Sequence, residues 1–174
     1  MEAGLRVLVV YYSWTGNTRR VAEAIARQAG AEIREIVEKQ PRRGVRGWLS
    51  GARDAARKRP SEIEPPPEGN YDLVIVGTPV WAFTMVPAVR AFLVQSRPRL
   101  RDLAFFCTQG SSGAEAAFRE MEALGGRPPL GTLTVNVPEL KDAEWEARVR
   151  KFVEEIECNL RLKPGREIER PEGE

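Results

Sequence analysis

A strand that must be covered on both faces comes first in this chain, and a polar loop and a helix follow at once. The run Leu8-Val9-Val10-Tyr11-Tyr12 offers no polar position, so it reads as a strand with neither face in water. Beyond it, Val21, Ala22, Ile25, Ala26 and Ala29 recur at helical spacing. Between the two stands Ser13-Trp14-Thr15-Gly16-Asn17-Thr18. A doubly buried strand feeding a helix through so short a loop is the opening unit of a parallel sheet layered by helices.

The loop has the chemistry of an anion site. N–H groups in the first turn of a helix have no intrahelical partner and carry a partial positive charge. Together with the hydroxyls of Ser13, Thr15 and Thr18 they would bind a phosphate with no basic side chain. Gly16 permits a left-handed backbone and close approach of the anion. The same residues would also serve as an ordinary polar helix cap. Neither Gly-x-x-x-x-Gly-Lys-Ser/Thr nor Gly-x-Gly-x-x-Gly occurs, which argues against an NTPase or a dinucleotide-first site.

Five buried strands are expected: Leu5 to Tyr12, Ala31 to Val37, Leu73 to Thr78, Leu103 to Thr108 and Gly131 to Val137. Helical patterns separate them, and such alternation points to a doubly wound α/β sheet. The first helix starts near Asn17. A second is expected from Trp48 to Lys58, with Trp48, Leu49, Ala52, Ala55 and Ala56 on one face. A third begins around Pro87 and carries Val89, Phe92 and Leu93. The fourth holds Ala114, Ala117, Phe118, Met121 and Leu124 and stops at Gly125-Gly126. Trp145, Val149, Phe152, Val153, Ile156 and Leu160 line the last. The proline-rich segment from Pro60 to Asn70 reads as loop. Residues 1–163 are expected to form one domain, and 164–174 a polar, flexible tail.

In open parallel sheets, ligands bind beyond the carboxyl ends of the strands, where strand order reverses. After the third strand comes Gly77-Thr78-Pro79-Val80-Trp81-Ala82-Phe83, and after the fourth Cys107-Thr108-Gln109-Gly110-Ser111-Ser112-Gly113. Aromatic side chains at a loop tip, beside Gly, Thr and Gln, suit the face and rim of a heteroaromatic ligand.

The phosphate loop resembles Ser/Thr-x-Thr-Gly-x-Thr of the flavodoxins, matched at Ser13, Thr15, Gly16 and Thr18. With the two later loops, the chain is similar to flavodoxin-like FMN-binding proteins from about Leu5 to Leu160. The resemblance implies a three-layer α/β/α fold with five parallel strands in the order 2-1-3-4-5. It also implies FMN, with its phosphate on Ser13, Trp14, Thr15, Gly16, Asn17 and Thr18. The flavin ring would lie between Thr78, Pro79, Val80, Trp81, Ala82 and Phe83 on one side and Thr108, Gln109, Gly110 and Gly113 on the other. Trp81 is the residue expected to stack on or shield the ring.

Composition narrows the chemistry. The 174 residues include no histidine, which removes His-based triads and the commonest metal ligand. A redox protein working through a bound organic cofactor loses little by this, so no catalytic side chain and no metal site are expected. The two cysteines, Cys107 and Cys158, have no metal spacing, and free thiols suit a cytoplasmic protein. A buried structural role is expected for Cys107. No apolar run reaches transmembrane length, and no signal peptide is expected.

Electron-carrying flavodoxins are characteristically acidic, and this chain departs from them. From Lys39 to Arg59 it has eight basic residues against one acid, Asp54, while its net charge is only +2. That stretch is either a solvated helix face or a docking surface for an acidic partner, an anionic membrane or a phosphorylated cosubstrate. Nucleic acid is not expected. The primary reading is an FMN-dependent electron carrier, monomeric or homodimeric, exchanging electrons with a redox protein or a small-molecule donor or acceptor. An NAD(P)H-dependent flavin or quinone reductase of the same fold, and a flavin-free interaction domain, are its rivals.

Overall fold

The computed structural model describes residues 5–40 and 44–163. Its centre is β1 (Val7–Tyr11), buried along its whole length as its unbroken apolar run requires. After the 13–18 loop, α1 (Asn17–Ala29) returns the chain to β2 (Glu32–Glu35), which pairs in parallel with one edge of β1. α2 (Gly44–Ala56) crosses to the other face, and β3 (Leu73–Trp81) pairs in parallel with the opposite edge of β1. β3 then doubles back through β4 (Thr84–Met85) in a tight antiparallel hairpin. α3 (Pro87–Ser96), β5 (Asp102–Gln109), α4 (Ala114–Gly125), β6 (Thr132–Asn136) and α5 (Glu144–Arg161) complete the chain.

The sheet runs β2-β1-β3-β5-β6, with β4 attached to β3 alone. Counting parallel strands only, this is the expected order 2-1-3-4-5, and the helices make it a three-layer α/β/α sandwich. Side chains of successive residues go to opposite faces. Val7, Val9 and Tyr11 therefore pack under α1 and α5 with Val21, Ile25, Trp145 and Ile156. Leu8, Val10 and Tyr12 pack on the other face with Ala55 of α2, Val89 and Phe92 of α3 and Met121 of α4. The apolar positions read for α1 and α5 are all buried.

Three expectations need correction. The second strand is not a buried one: β2 is shorter than Ala31 to Val37, lies at the sheet edge, and leaves Arg34 and Glu35 exposed. The third strand does not stop at Thr78 but continues to Trp81, because the β4 hairpin supplies it with a new partner after β1 ends. The second helix is shifted towards the N-terminus. Its inner face is Gly47, Gly51 and Ala55, Ala52 is half-buried, and Leu49 and Ala56 face solvent. Among the described residues, small groups at every fourth position let this helix lie close to its neighbours. The Trp48 side chain and the tail from residue 164 lie outside the described residues.

Candidate functional site

β1 sends its chain to one side to reach β2 and then across to β3, so strand order reverses between β1 and β3. The crevice beyond that reversal is the expected ligand position for such a sheet. Three segments border it: the 13–18 loop after β1, the hairpin at the end of β3, and the 109–113 loop after β5.

In the first loop Gly16 adopts φ 89° and ends the turn at the N-terminus of α1. Ser13 Oγ accepts N–H bonds from Gly16 and from Arg19, both at 3.2 Å. That leaves the Ser13 O–H proton to be donated elsewhere. Asn17 Nδ2 donates to Thr15 Oγ1 at 3.1 Å, and the N–H of Arg20 bonds to the Gly16 carbonyl at 3.0 Å. No carboxylate stands in the first turn of α1, and open space surrounds the position of a Cβ on Gly16. Thr15 is exposed, whereas Thr18 is buried and its hydroxyl meets that of Thr108 at 2.8 Å. Thr18 thus ties α1 to β5 from within.

The hairpin brings aromatic groups to the crevice. Trp81 is buried, with its ring edge-on to Tyr12 (centroids 6.1 Å apart, 87°) and to Trp14 (5.7 Å, 80°). Trp14 is half-buried and the more open of the two tryptophans. At the tip, Ala82 has φ 48° and Phe83 φ 62°, a left-handed pair that a two-residue hairpin of this hand demands and that glycine or asparagine usually provides. Phe83 is 68 % exposed.

The hairpin's base is tied by Thr78, whose hydroxyl donates to the Pro79 carbonyl at 2.8 Å and accepts the Val86 N–H at 3.2 Å. Below the tip lies a polar clamp. Thr84 donates its hydroxyl to Glu120 of α4, which also pairs with Arg90 of α3 and with Lys58 just past α2, each at 2.6 Å. Burial opposes the charge on Glu120, but bonds from Lys58, Thr84 and Arg90 outweigh it and hold the carboxyl at about 2. Nothing in the local pattern around Ala82 and Phe83 announces this clamp, in which Thr84 and Glu120 stand 36 residues apart in sequence.

The third segment is braced from behind. Gln109 accepts the Ala114 N–H through Oε1 at 2.9 Å and donates through Nε2 to Asn136 Oδ1 at 3.1 Å. Asn136 in turn bonds Glu139, whose carboxyl those bonds lower, with Arg148 adding to the effect. Both ends of the Gln109 amide are therefore engaged by the protein, and Gly110 is left exposed. Gly113, at φ 108°, lies directly on the hairpin: a Cβ there would meet Val80 Cγ1 at 2.7 Å and Phe83 Cα at 2.9 Å. Only glycine lets these two segments touch. Cys107 is buried, and desolvation pushes its thiol up to about 12 despite a contact with Thr134, so it is neutral and unreactive at ordinary pH.

All three segments read from the sequence thus meet at one end of the sheet. Thr15, Gly16, Asn17, Trp14, Ala82, Phe83 and Gly110 keep exposed or half-exposed surface there, with Pro79, Val80 and Gly113 half-buried beside them. Thr18, Thr78, Thr108 and Gln109 are engaged in bonds that hold the walls. Loop amides and hydroxyls at a helix start with no acidic residue in its first turn suit an anion, and the aromatic wall suits a flat ring. Among the described residues, no group of three or more His, Cys, Asp or Glu is placed to hold a metal, and no helix is long and apolar enough to cross a membrane.

No curated protein matches the chain by sequence. Solved structures share its fold. A flavoprotein from Lactobacillus acidophilus NCFM in complex with FMN is 22 % identical, with a TM-score of 0.66 over 79 % of this chain and 97 % of that one. Oxidised flavodoxin 2 from Bacillus cereus is 16 % identical, TM-score 0.57, covering 88 % and 98 %. A WrbA-like flavodoxin from Agrobacterium tumefaciens is 16 % identical, TM-score 0.54, covering 90 % and 99 %. Residues 6–129, well over half the chain, match the flavodoxin family model. With that match and the strand order in agreement, the chain belongs to the flavodoxin family.

Proposed function

We propose that this chain binds FMN at the carboxyl end of its sheet and serves as an electron carrier. The observation that supports the reading best is the meeting of three unlike walls at the strand-order reversal. One offers helix and loop amides, one an aromatic hairpin, and one an exposed glycine loop. Among the structural neighbours, one is a complex with FMN and another an oxidised flavodoxin. When bound, FMN supplies the redox chemistry, accepting and releasing electrons while held without a covalent bond.

The protein's part is to bind, orient and shield. Ser13 and Thr15 hydroxyls, with the N–H groups at the start of α1, hold the phosphate, and the partial charge of the helix end offsets its negative charge. Trp14, Trp81 and Phe83 line the ring, and the exposed backbone from Gly110 to Gly113 bonds its polar rim. Thr18 with Thr108, and Gln109 with Asn136, keep these walls in register. No side chain is needed as nucleophile or general base. An exposed thiol, Cys158, suits a reducing compartment such as the cytoplasm.

Titration of the apo-protein with FMN, followed by quenching of flavin fluorescence, tests the reading. Micromolar or tighter binding is expected, about −8 kcal/mol. Failure to bind oxidised or reduced FMN would falsify it. Steady oxidation of NADH or NADPH with a quinone acceptor would instead make the protein a reductase. A carrier shows no such turnover and exchanges electrons with protein partners.

A further inference from the structure

We propose that the outward face of α2, with the residues just after it and Lys39 beside them, docks an acidic electron-transfer protein at the flavin end of the sheet. The proposal rests on the FMN carrier reading above. Its first support is charge. The stretch from Lys39 to Arg59 has an excess of seven positive charges in a chain whose net charge is +2, so the remainder is net acidic by five. Among the described side chains, Arg53 is 62 % and Lys58 66 % exposed, and Arg57, Arg59 and Lys39 are exposed as well. The one acid of the stretch, Asp54, is mostly covered and forms an ion pair with Arg53 at 4.0 Å, so one negative charge stands against the cations around it.

Arrangement is the second support. Leu49, Arg53 and Arg57 follow one another at four-residue spacing and face solvent together, with Leu49 55 % exposed. An apolar side chain bordered by cations is the composition of a transient protein interface. The cations around Leu49 complement an acidic protein surface.

Position is the third. Lys58 reaches Glu120, and Glu120 accepts the hydroxyl of Thr84, the neighbour of Phe83. The C-terminal end of α2 is therefore one side chain away from the aromatic wall. Ser61 N–H bonds to the Pro87 carbonyl at 3.2 Å, and Lys39 N–H to Glu62 at 3.0 Å. These bonds hold Lys39 and the 57–61 segment beside the start of α3. A partner seated on these cations has its redox centre brought to the flavin end, where one electron leaves that centre and enters the flavin with no bond made or broken.

The test uses the FMN-loaded full chain, a chemically reduced acidic [2Fe–2S] ferredoxin as donor and basic cytochrome c as the contrasting acceptor. Electron transfer from ferredoxin should be fast at low salt and slow as salt rises, because screening shortens to about 8 Å at 0.15 M. R53E/R57E/R59E should slow it on the order of tenfold or more at low salt, within the range that steering supplies. It should have little effect at high salt, and it should speed the reaction with cytochrome c. The flavin spectrum and FMN affinity of the variant should match the parent. R53Q/R57Q/R59Q, gentler to the fold, should give a smaller change of the same sign. Parent rates with ferredoxin in both variants would overturn the proposal. So would salt-sensitive binding of the parent, but not the variants, to phosphatidylserine vesicles with no change in ferredoxin rate. A parent chain that takes up no FMN would overturn the carrier reading itself, a separate result visible in the spectrum before any rate is measured.

Discussion

The two walls of the crevice reach left-handed backbone by opposite means. The 13–18 loop uses Gly16 at φ 89°, where glycine is unstrained, and the bonds of Ser13, Thr15 and Gly16 close within six residues of sequence, Thr18 alone reaching across to Thr108. The hairpin uses Ala82 and Phe83 at φ 48° and 62°, conformations costing about 1–2 kcal/mol each for residues with a Cβ. It is held there from a distance, by Glu120 through Thr84 and by Gly113 packed on its turn. One wall is a local device that its own sequence specifies. The other is a strained tip that persists because three helices converge on it, and such strain is characteristic of functional sites.

The comparison breaks if the clamp can be removed without consequence. Glu120→Ala leaves the buried Arg90 guanidinium without its carboxylate, and Arg90 Nε already has no acceptor among the described residues. Loss of one partner from such a pair costs about 3 kcal/mol, measurable as a lowered urea midpoint. Affinity for riboflavin and FMN should fall together, because the damaged wall faces the ring. A variant as stable as the parent would show that the hairpin holds itself.

The same clamp gives an acid limb. Glu120 titrates at about 2 in the folded chain, below its ordinary 4.5. A carboxyl depressed on folding contributes stability that is complete above the unfolded value and is lost as pH falls through the folded one. Stability should therefore decline from about pH 4.5 towards pH 2, read from urea midpoints at each pH. Glu120→Gln should be less stable at neutral pH and lack this component of the decline. An identical acid profile in the variant would take the clamp's charge out of the account.

On the phosphate side the expected effect is on affinity rather than stability. Thr15 is exposed and lies on the loop. A hydroxyl given to a charged phosphate contributes about 1.5–3 kcal/mol, so Thr15→Ala should weaken FMN by roughly ten- to a hundredfold. Riboflavin, lacking the phosphate, should bind as before. Equal loss for both ligands would mean that the phosphate has been misplaced.

These contrasts also explain what was legible in the sequence. The parallel sheet is legible because buried strands announce themselves as apolar runs and α1, α4 and α5 carry clear stripes, whereas its order is implied only by the resemblance to the flavodoxins. β2 is not legible as an edge strand, because four residues show no pattern of their own. The outward position of Leu49 is not legible either, because large apolar residues are expected to face the core, while the described inner residues of α2 are Gly47, Gly51 and Ala55. The loops that meet at the crevice carry a local chemistry legible in the sequence. The division of labour among their residues is not, since Thr18 meets Thr108 across 90 positions of sequence and Thr84 meets Glu120 across 36. Pairings at that separation leave no local signature.

The smallest expected effects are of opposite sign, and they test the contrast most directly. Gly16→Ala places a Cβ at φ 89°, where nothing lies within 4 Å to clash with it. Its cost is then backbone strain of about 1–2 kcal/mol, less the roughly 0.5–1 kcal/mol by which alanine restricts the unfolded chain. Ala82→Gly relieves strain of similar size at φ 48°, although glycine's freedom in the unfolded chain returns about 0.5–1 kcal/mol of that gain. The net should be a stabilisation of a few tenths of a kcal/mol, read from paired urea curves. If the tip were relaxed, Ala82→Gly would destabilise the fold, because the unfolded-state term would act unopposed. A stabilised variant that binds the flavin ring less tightly would be the sharper result. It would show that the alanine is kept for the rigidity of the tip beside Phe83, at the expense of stability.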